Sequence, residues 1–154
     1  MKFLLRLIVL VLLVAVAGLA VGTYYTLTPP SDLYLSKGEF SGCPKRPSCV
    51  SSMAKDDLHK VAALGYTGDM GINYVIMHEV VERLGGQIQQ EQSGYIHAVF
   101  AAPRFGFPLR DDLEVLMLAN GRVDVRSASR FAYDDAGSNR ARVEQLRQAF
   151  EAMP

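Results

Sequence analysis

Apolar positions along this 154-residue chain follow three different patterns. The first is continuous: "MKFLLRLIVLVLLVAVAGLAVGTYY" places Lys2 and Arg6 ahead of 19 uncharged residues, Leu7 to Tyr25. That length is close to the roughly 20 residues that cross about 30 Å of hydrocarbon as a helix. Basic residues before the run orient that end to the cytoplasm, and Tyr24 and Tyr25 suit the far interface. Residues 1–25 are therefore expected to be a transmembrane anchor, meeting lipid through residues 3–25. The rest would be exported, giving a single-pass inner-membrane protein with its C-terminal domain on the periplasmic side. A cleaved signal peptide is the rival reading, because Ala15-Val16-Ala17 fits a small-residue cleavage site. Against it, the apolar run continues through Leu19, Ala20 and Val21.

The second pattern has helical period. Ile72, Val75, Ile76, Val80, Val81 and Leu84 share one face of a helix from Met70 to Leu84, with Asp69 as N-cap and Gly85-Gly86 as the stop. A last helix starts near Ser138 or Asn139 and carries the stripe Val143, Leu146 and Phe150. Glu79–Arg83 and Arg140–Glu144 stand at i,i+4 spacing on these helices. A shorter helix is expected around Asp56–Ala63.

The third pattern is strand-like and predicts segments at about 87–91, 95–102, 112–119 and 122–129. "PRFGFPLR" (103–110) is a loop whose prolines exclude a central strand. Asn120-Gly121 suits a two-residue type I′ turn. Residues 26–42, "TLTPPSDLYLSKGEFSG", read as a tether, and residues 43–154 as one extracytoplasmic domain. The expected class is α+β: after the transmembrane helix, a four-stranded antiparallel sheet with helices packed on one face.

A two-residue turn would set the hairpin register. Leu118 then faces Val123 and Leu116 faces Val125, with Glu114 opposite Ser127 and Asp112 opposite Ser129 on the same face. On the other face Val115 sits beside Arg126, and Asp111 is opposite Arg130. Acids and guanidiniums thus gather where the hairpin leads into "FAYDDAGSN".

Charge sharpens this feature. Lysine plus arginine equals aspartate plus glutamate at 16 each, yet five arginines fall within residues 125–147. Neutral balance and export argue against nucleic acid as a partner. Two readings of the corner remain. Its groups can satisfy one another and cap the final helix, since arginine forks suit carboxylates. Alternatively, the helix amides at 138–140 together with Arg126, Arg130, Arg140 and Arg142 can form an anion pocket. The candidate ligand-binding or network residues are Asp111, Asp112, Glu114, Arg126, Ser127, Ser129, Arg130, Asn139, Arg140 and Arg142.

Cys43 and Cys49 enclose "PKRPS", and in an exported domain a disulfide is the default. Zinc would need these two plus two of His59, His78 and His97, so no metal is expected. CXXC is absent, and no cofactor is implied. His97 reads as a packed or hydrogen-bonded mid-strand histidine. A hydrolase can be sketched from Ser127 or Ser129, His97 and Asp112, but no GXSXG elbow supports it. The glycines of "GYTGDMG" lack the strand-before, helix-after setting of a dinucleotide loop.

Three segments together, "CPKRPSCVSS", "DDLEV" and "VRSASRFAYDDAGSNRARVEQLR", resemble the domain of unknown function 1499 family of bacterial and plastid proteins over roughly residues 40–150. The resemblance rests on Cys43, Pro44, Pro47, Cys49, Val50, Ser51 and Ser52, and on Asp111, Asp112 and Glu114. It continues in Arg126, Ser127, Ser129, Arg130, Asp135, Gly137, Asn139, Arg140 and Arg142. Ala132 stands where the family usually has glycine, and Ser48 where asparagine is common. The resemblance implies no activity. The leading expectation is a membrane-anchored domain binding a small anionic molecule or an envelope protein. The alternatives are a hydrolase using Asp112, Glu114, Ser127 and Ser129, or a structural accessory of an envelope complex.

Overall fold

The computed structural model describes residues 2–104 and 106–153. Met1, Phe105 and Pro154, which fall in the expected anchor, loop and domain, lie outside the described residues. The N-terminal run forms one helix, α1 (Lys2–Leu27), long and apolar enough to serve as a membrane span or a signal sequence. After it come the single turn α2 (Tyr34–Lys37), β1 (Cys49–Ser51) and β2 (Leu64–Gly65). The chain continues as α3 (Met70–Arg83), β3 (Gln87–Gln92), β4 (Tyr95–Ala101), β5 (Arg110–Met117), β6 (Arg122–Ser129) and α4 (Ser138–Glu151).

The α+β class and the antiparallel sheet agree with the sequence reading, but the sheet has six strands rather than four. β3 to β6 form a meander, and the short β1 and β2 both pair with the free edge of β6. Three residues and two are too few for a period to register, so nothing in the sequence announced them. Covering that edge removes a row of unpaired backbone groups. No helix forms over 56–63. There the Asp56 carboxylate accepts from the backbone N–H of His59 at 3.1 Å and contacts its ring Nδ1 at 2.6 Å, a local alternative to helical bonding.

Asp69 caps α3 by accepting from the Ile72 amide at 3.0 Å, as its position suggested. The buried face of α3 overlaps the expected one at Val80, Val81, Ile76 and Leu84 but is rotated away from Ile72 and Val75. Met77, Val80 and Val81 are buried while Ile72 and Val75 are 65% and 66% exposed. Met70, Tyr74, Met77, Val81 and Leu84 form a second apolar stripe at i,i+3/i+4 spacing, and its larger side chains fill the space over the sheet. On α4, Val143, Leu146 and Phe150 are buried as expected. Glu79–Arg83 forms. Arg140–Glu144 does not, since Arg140 donates to the carbonyls of Lys60 and Leu58 and Glu144 pairs with Arg147.

The β5–β6 hairpin corrects the expected register by one residue. Met117 faces Val123, Val115 faces Val125, Glu114 faces Arg126 and Asp111 faces Ser129. The connection is Ala119–Gly121, closed by Leu118 N–H to Arg122 O at 2.8 Å and Gly121 N–H to Leu118 O at 3.1 Å. Only Gly121 takes a positive φ, +82°, which is the three-residue loop with a left-handed glycine rather than type I′. Tertiary contacts choose between them: the Tyr66 amide donates to Gly121 O at 2.8 Å and its hydroxyl to Leu118 O at 2.6 Å. Because strands alternate faces, the slip moves every β5 side chain to the opposite face, while Val123, Val125, Ser127 and Ser129 of β6 keep the expected one.

The core therefore lies between one sheet face, with Ile96, Ala98, Phe100, Leu113, Val115, Met117, Val123 and Val125, and the helices α3 and α4. The opposite face is charged and is covered by residues N-terminal to β1. Leu33 is buried and the Tyr34 ring stacks on Tyr95 at 5.1 Å. Cys43 and Cys49 form a disulfide with Cα atoms 5.6 Å apart, anchoring this cover to β1. Closing so short a loop contributes about 2 kcal/mol in the chain-entropy model. Reduction is expected to lower the urea midpoint accordingly; an unchanged midpoint would show that other contacts hold residues 44–48.

Candidate functional site

The candidate residues divide between the two sheet faces. On the helix side, Asp111 accepts from Ser129 Oγ at 2.6 Å and from Arg142 Nη2 at 2.7 Å. Arg142 also donates to Ser127 Oγ at 3.0 Å and to Asn139, and its guanidinium lies 4.7 Å from the Phe100 ring centre. Asn139 accepts from Ser127 Oγ at 2.6 Å and donates to Ser48 O and Ser129 Oγ. All five residues are buried. This is a closed polar network joining β5, β6, α4 and the residue before β1.

The start of α4 is occupied from within the chain. Asp135 accepts from the amides of Gly137 at 3.0 Å and Asn139 at 2.7 Å, filling the position an external anion would take. Arg140 reaches outward to the 58–60 carbonyls. Arg126 and Arg130 lie on the other sheet face. The four arginines are therefore not brought together at the helix N-terminus.

On the outer face, Glu114 is fully buried and accepts from the Tyr34 amide at 2.8 Å, Tyr95 Oη at 2.9 Å and Arg126 Nη1 at 3.0 Å. Beside it, Asp112 holds a two-pronged pair with Arg130, Nε and Nη2 each at 2.8 Å. His97 Nε2 lies 2.7 Å from Asp112 as well. The expected Arg130–Asp111 pair is corrected by the register: Arg130 binds Asp112, and Arg142 takes Asp111. Burial alone would disfavour charge on Asp112. Hydrogen bonds from His97 and Arg130, with their charge, outweigh it and hold its carboxyl below the usual carboxylate range. Burial, reinforced by the Glu114 charge, pushes the Tyr95 hydroxyl well above the ordinary tyrosine range. Arg130 also donates from Nη1 to Thr26 O at 3.0 Å, so this cluster caps the C-terminal end of α1.

The hydrolase sketch does not assemble. Ser127 and Ser129 face the helices, whereas His97 and Asp112 face the other way across the sheet. His97 is 1% exposed and out of reach of a substrate. Among the described residues, no cluster of three or more metal-ligating side chains occurs.

One outer-face feature is open. A cavity of about 300 Å³ lies between Pro30, Asp32, Gly42 and Pro44 on one side and Asp112, Arg126 and Arg130 on the other. Arg46 lines it too, donating from Nη2 to Ser129 O at 2.9 Å, with no carboxylate partner among the described residues. Arg46 and Arg126 each keep a buried Nε without a hydrogen-bond partner. Arg46 escaped the sequence reading because its signal, one arginine between two prolines inside a disulfide loop, looked like turn chemistry.

These features define a small α+β domain with a sealed polar network on one sheet face and an arginine-lined cavity on the other, behind an apolar N-terminal helix. The chain belongs to the DUF1499 family, described as a protein of unknown function, whose pattern matches residues 39–150. That span holds Cys43, Arg46, Asp112, Arg126 and Arg130, while α1 precedes it. No curated protein matches the chain significantly.

Proposed function

We propose that the protein is a single-pass inner-membrane protein whose extracytoplasmic domain binds a small anion in the cavity between residues 30–46 and the outer sheet face. The observation that carries the binding reading is the lining of that cavity by three guanidiniums, of which Arg126 and Arg130 are paired with Glu114 and Asp112 while Arg46 forms no ion pair among the described residues. Arg46 adds a guanidinium without an ion pair to a wall that also carries Asp32, and the volume suits a small carboxylate or phosphate. Lys2 and Arg6 at the N-terminal end of α1, and a disulfide in the domain, support the location.

Titration of the detergent-solubilised full chain with inorganic phosphate, and separately with acetate, tests the cavity by thermal unfolding. A ligand at a hundredfold its Kd stabilises by about 2.7 kcal/mol. At least one anion is expected to raise the melting temperature of the wild type and not that of Arg46→Gln. Equal responses in both proteins would overturn the binding reading.

A further inference from the structure

We infer that residues 103–104, 106–109 and 131–134 form a membrane-contact face, and that the crevice between them and α1 takes the acyl chains of an extracytoplasmic-leaflet phospholipid. The inference rests on the reading of α1 as a membrane anchor and concerns a surface separate from the anion cavity.

The sheet has two distinct ends. The turns at Ser93–Gly94 and Ala119–Gly121 close one, against Met70 and Tyr66. At the other, Ala101, Arg110 and Ser129 lead into the two loops. α1 joins the domain at this second end, where Arg130 holds the Thr26 carbonyl and the Phe131 ring lies against Gly22. The loops therefore sit beside the part of the helix that leaves the bilayer.

The crevice there has a volume of about 990 Å³. One wall is α1 from Ala15 to Leu27, and the other includes Phe107, Pro108, Leu109, Phe131 and Tyr133. Phe107, Phe131 and Tyr133 are 49%, 46% and 73% exposed, a set of aromatic rings that the protein covers only in part. Tyr24 and Tyr25 are exposed at the same end of α1. Aromatic rings in this arrangement favour the bilayer interface, where an apolar body and a polar edge are both solvated. Arg104 lies at the rim, held by Asp134 O at 3.2 Å and Ser138 Oγ at 2.7 Å, without a carboxylate partner among the described residues. It is placed to meet a phosphodiester head group. Lipid is the occupant these walls select, because one of them is the anchor itself and its apolar stretch is not covered by protein.

The chain contains no tryptophan, so a single introduced indole reports its own surroundings without background. Full-length Phe107→Trp, Val16→Trp and Ile72→Trp would each be reconstituted into phosphatidylethanolamine–phosphatidylglycerol vesicles, with and without acyl-brominated lipid. Val16 reports the anchor, and Ile72, exposed near the opposite end of the sheet, is the control. The expected result is strong quenching by brominated lipid at positions 107 and 16 and none at 72. Quenching at 16 without quenching at 107 overturns the contact face while leaving the anchor standing. The same pattern with blue-shifted emission at 107 assigns the crevice to a second copy or another protein instead. No quenching at 16 overturns the anchor and the inference together.

Discussion

Arg142→Met is expected to lower the unfolding free energy by about 3–5 kcal/mol, the range for breaking a buried ion pair from one side. Asp111 is 1% exposed and has two hydrogen-bond donors, Ser129 Oγ and Arg142 Nη2. Methionine keeps much of the side-chain length but donates nothing, so the buried carboxyl is left with one hydroxyl donor and no counter-charge. Ser127 and Asn139 lose a donor in the same step. Adding Asp111→Asn to Arg142→Met should recover part of the loss, because the stranded charge is gone while an acceptor for Ser129 remains. Urea unfolding of the wild type, both single variants and the double variant measures this. A change below about 1 kcal/mol for Arg142→Met would place Asp111 in contact with water, at the level of an exposed pair.

How this network differs from the expected one shows what the sequence could convey. The residues themselves were legible: "DDLEV" and "VRSASR" supply acids, hydroxyls and guanidiniums at a hairpin end, and all of them enter buried networks. Their partners were not legible, because partnership depends on register, and register on one turn. Asn120-Gly121 is compatible with a two-residue and a three-residue connection. The choice was made by Tyr66, more than 50 positions away, whose amide and hydroxyl bind the turn carbonyls. A slip of one residue exchanges the faces of β5 alone and sends Arg130 from Asp111 to Asp112. On α3 the expected stripe held at Ile76, Val80, Val81 and Leu84 and failed at Ile72 and Val75, because Met70, Tyr74 and Met77 pack on the sheet instead. By contrast, the Asp69 cap, the stop at Gly85 and the start of α4 at Ser138 rest on local backbone chemistry, and the sequence located them. The outer-face cover was hidden for another reason. Its contacts are single side chains, Leu33, Tyr34 and Arg46, in a stretch without period.

Arg130→Met is expected to destabilise the protein by a similar amount at pH 7, about 3–5 kcal/mol, with a difference from wild type that closes in acid. The Arg130 side chain is 3% exposed and that of Asp112 2%, so solvent does little to screen the pair. In the wild type the Asp112 carboxyl titrates below its unfolded value of about 3.9, so the native state resists protonation there. Its contribution is fully present above that unfolded value and is lost as pH falls through the lower native one. In Arg130→Met, burial acts against the charge with only His97 opposing it, so the native Asp112 takes up a proton at higher pH. Once the carboxyl is neutral in both proteins, the arginine no longer has a charge to stabilise, and the two stabilities converge. Urea unfolding from pH 7 down to about pH 3 should therefore give curves that are far apart near neutrality and approach one another below the ordinary carboxylate pKa. Parallel curves across that range would mean that Arg130 stabilises the fold through its contact with the Thr26 carbonyl at the end of α1, and not through Asp112.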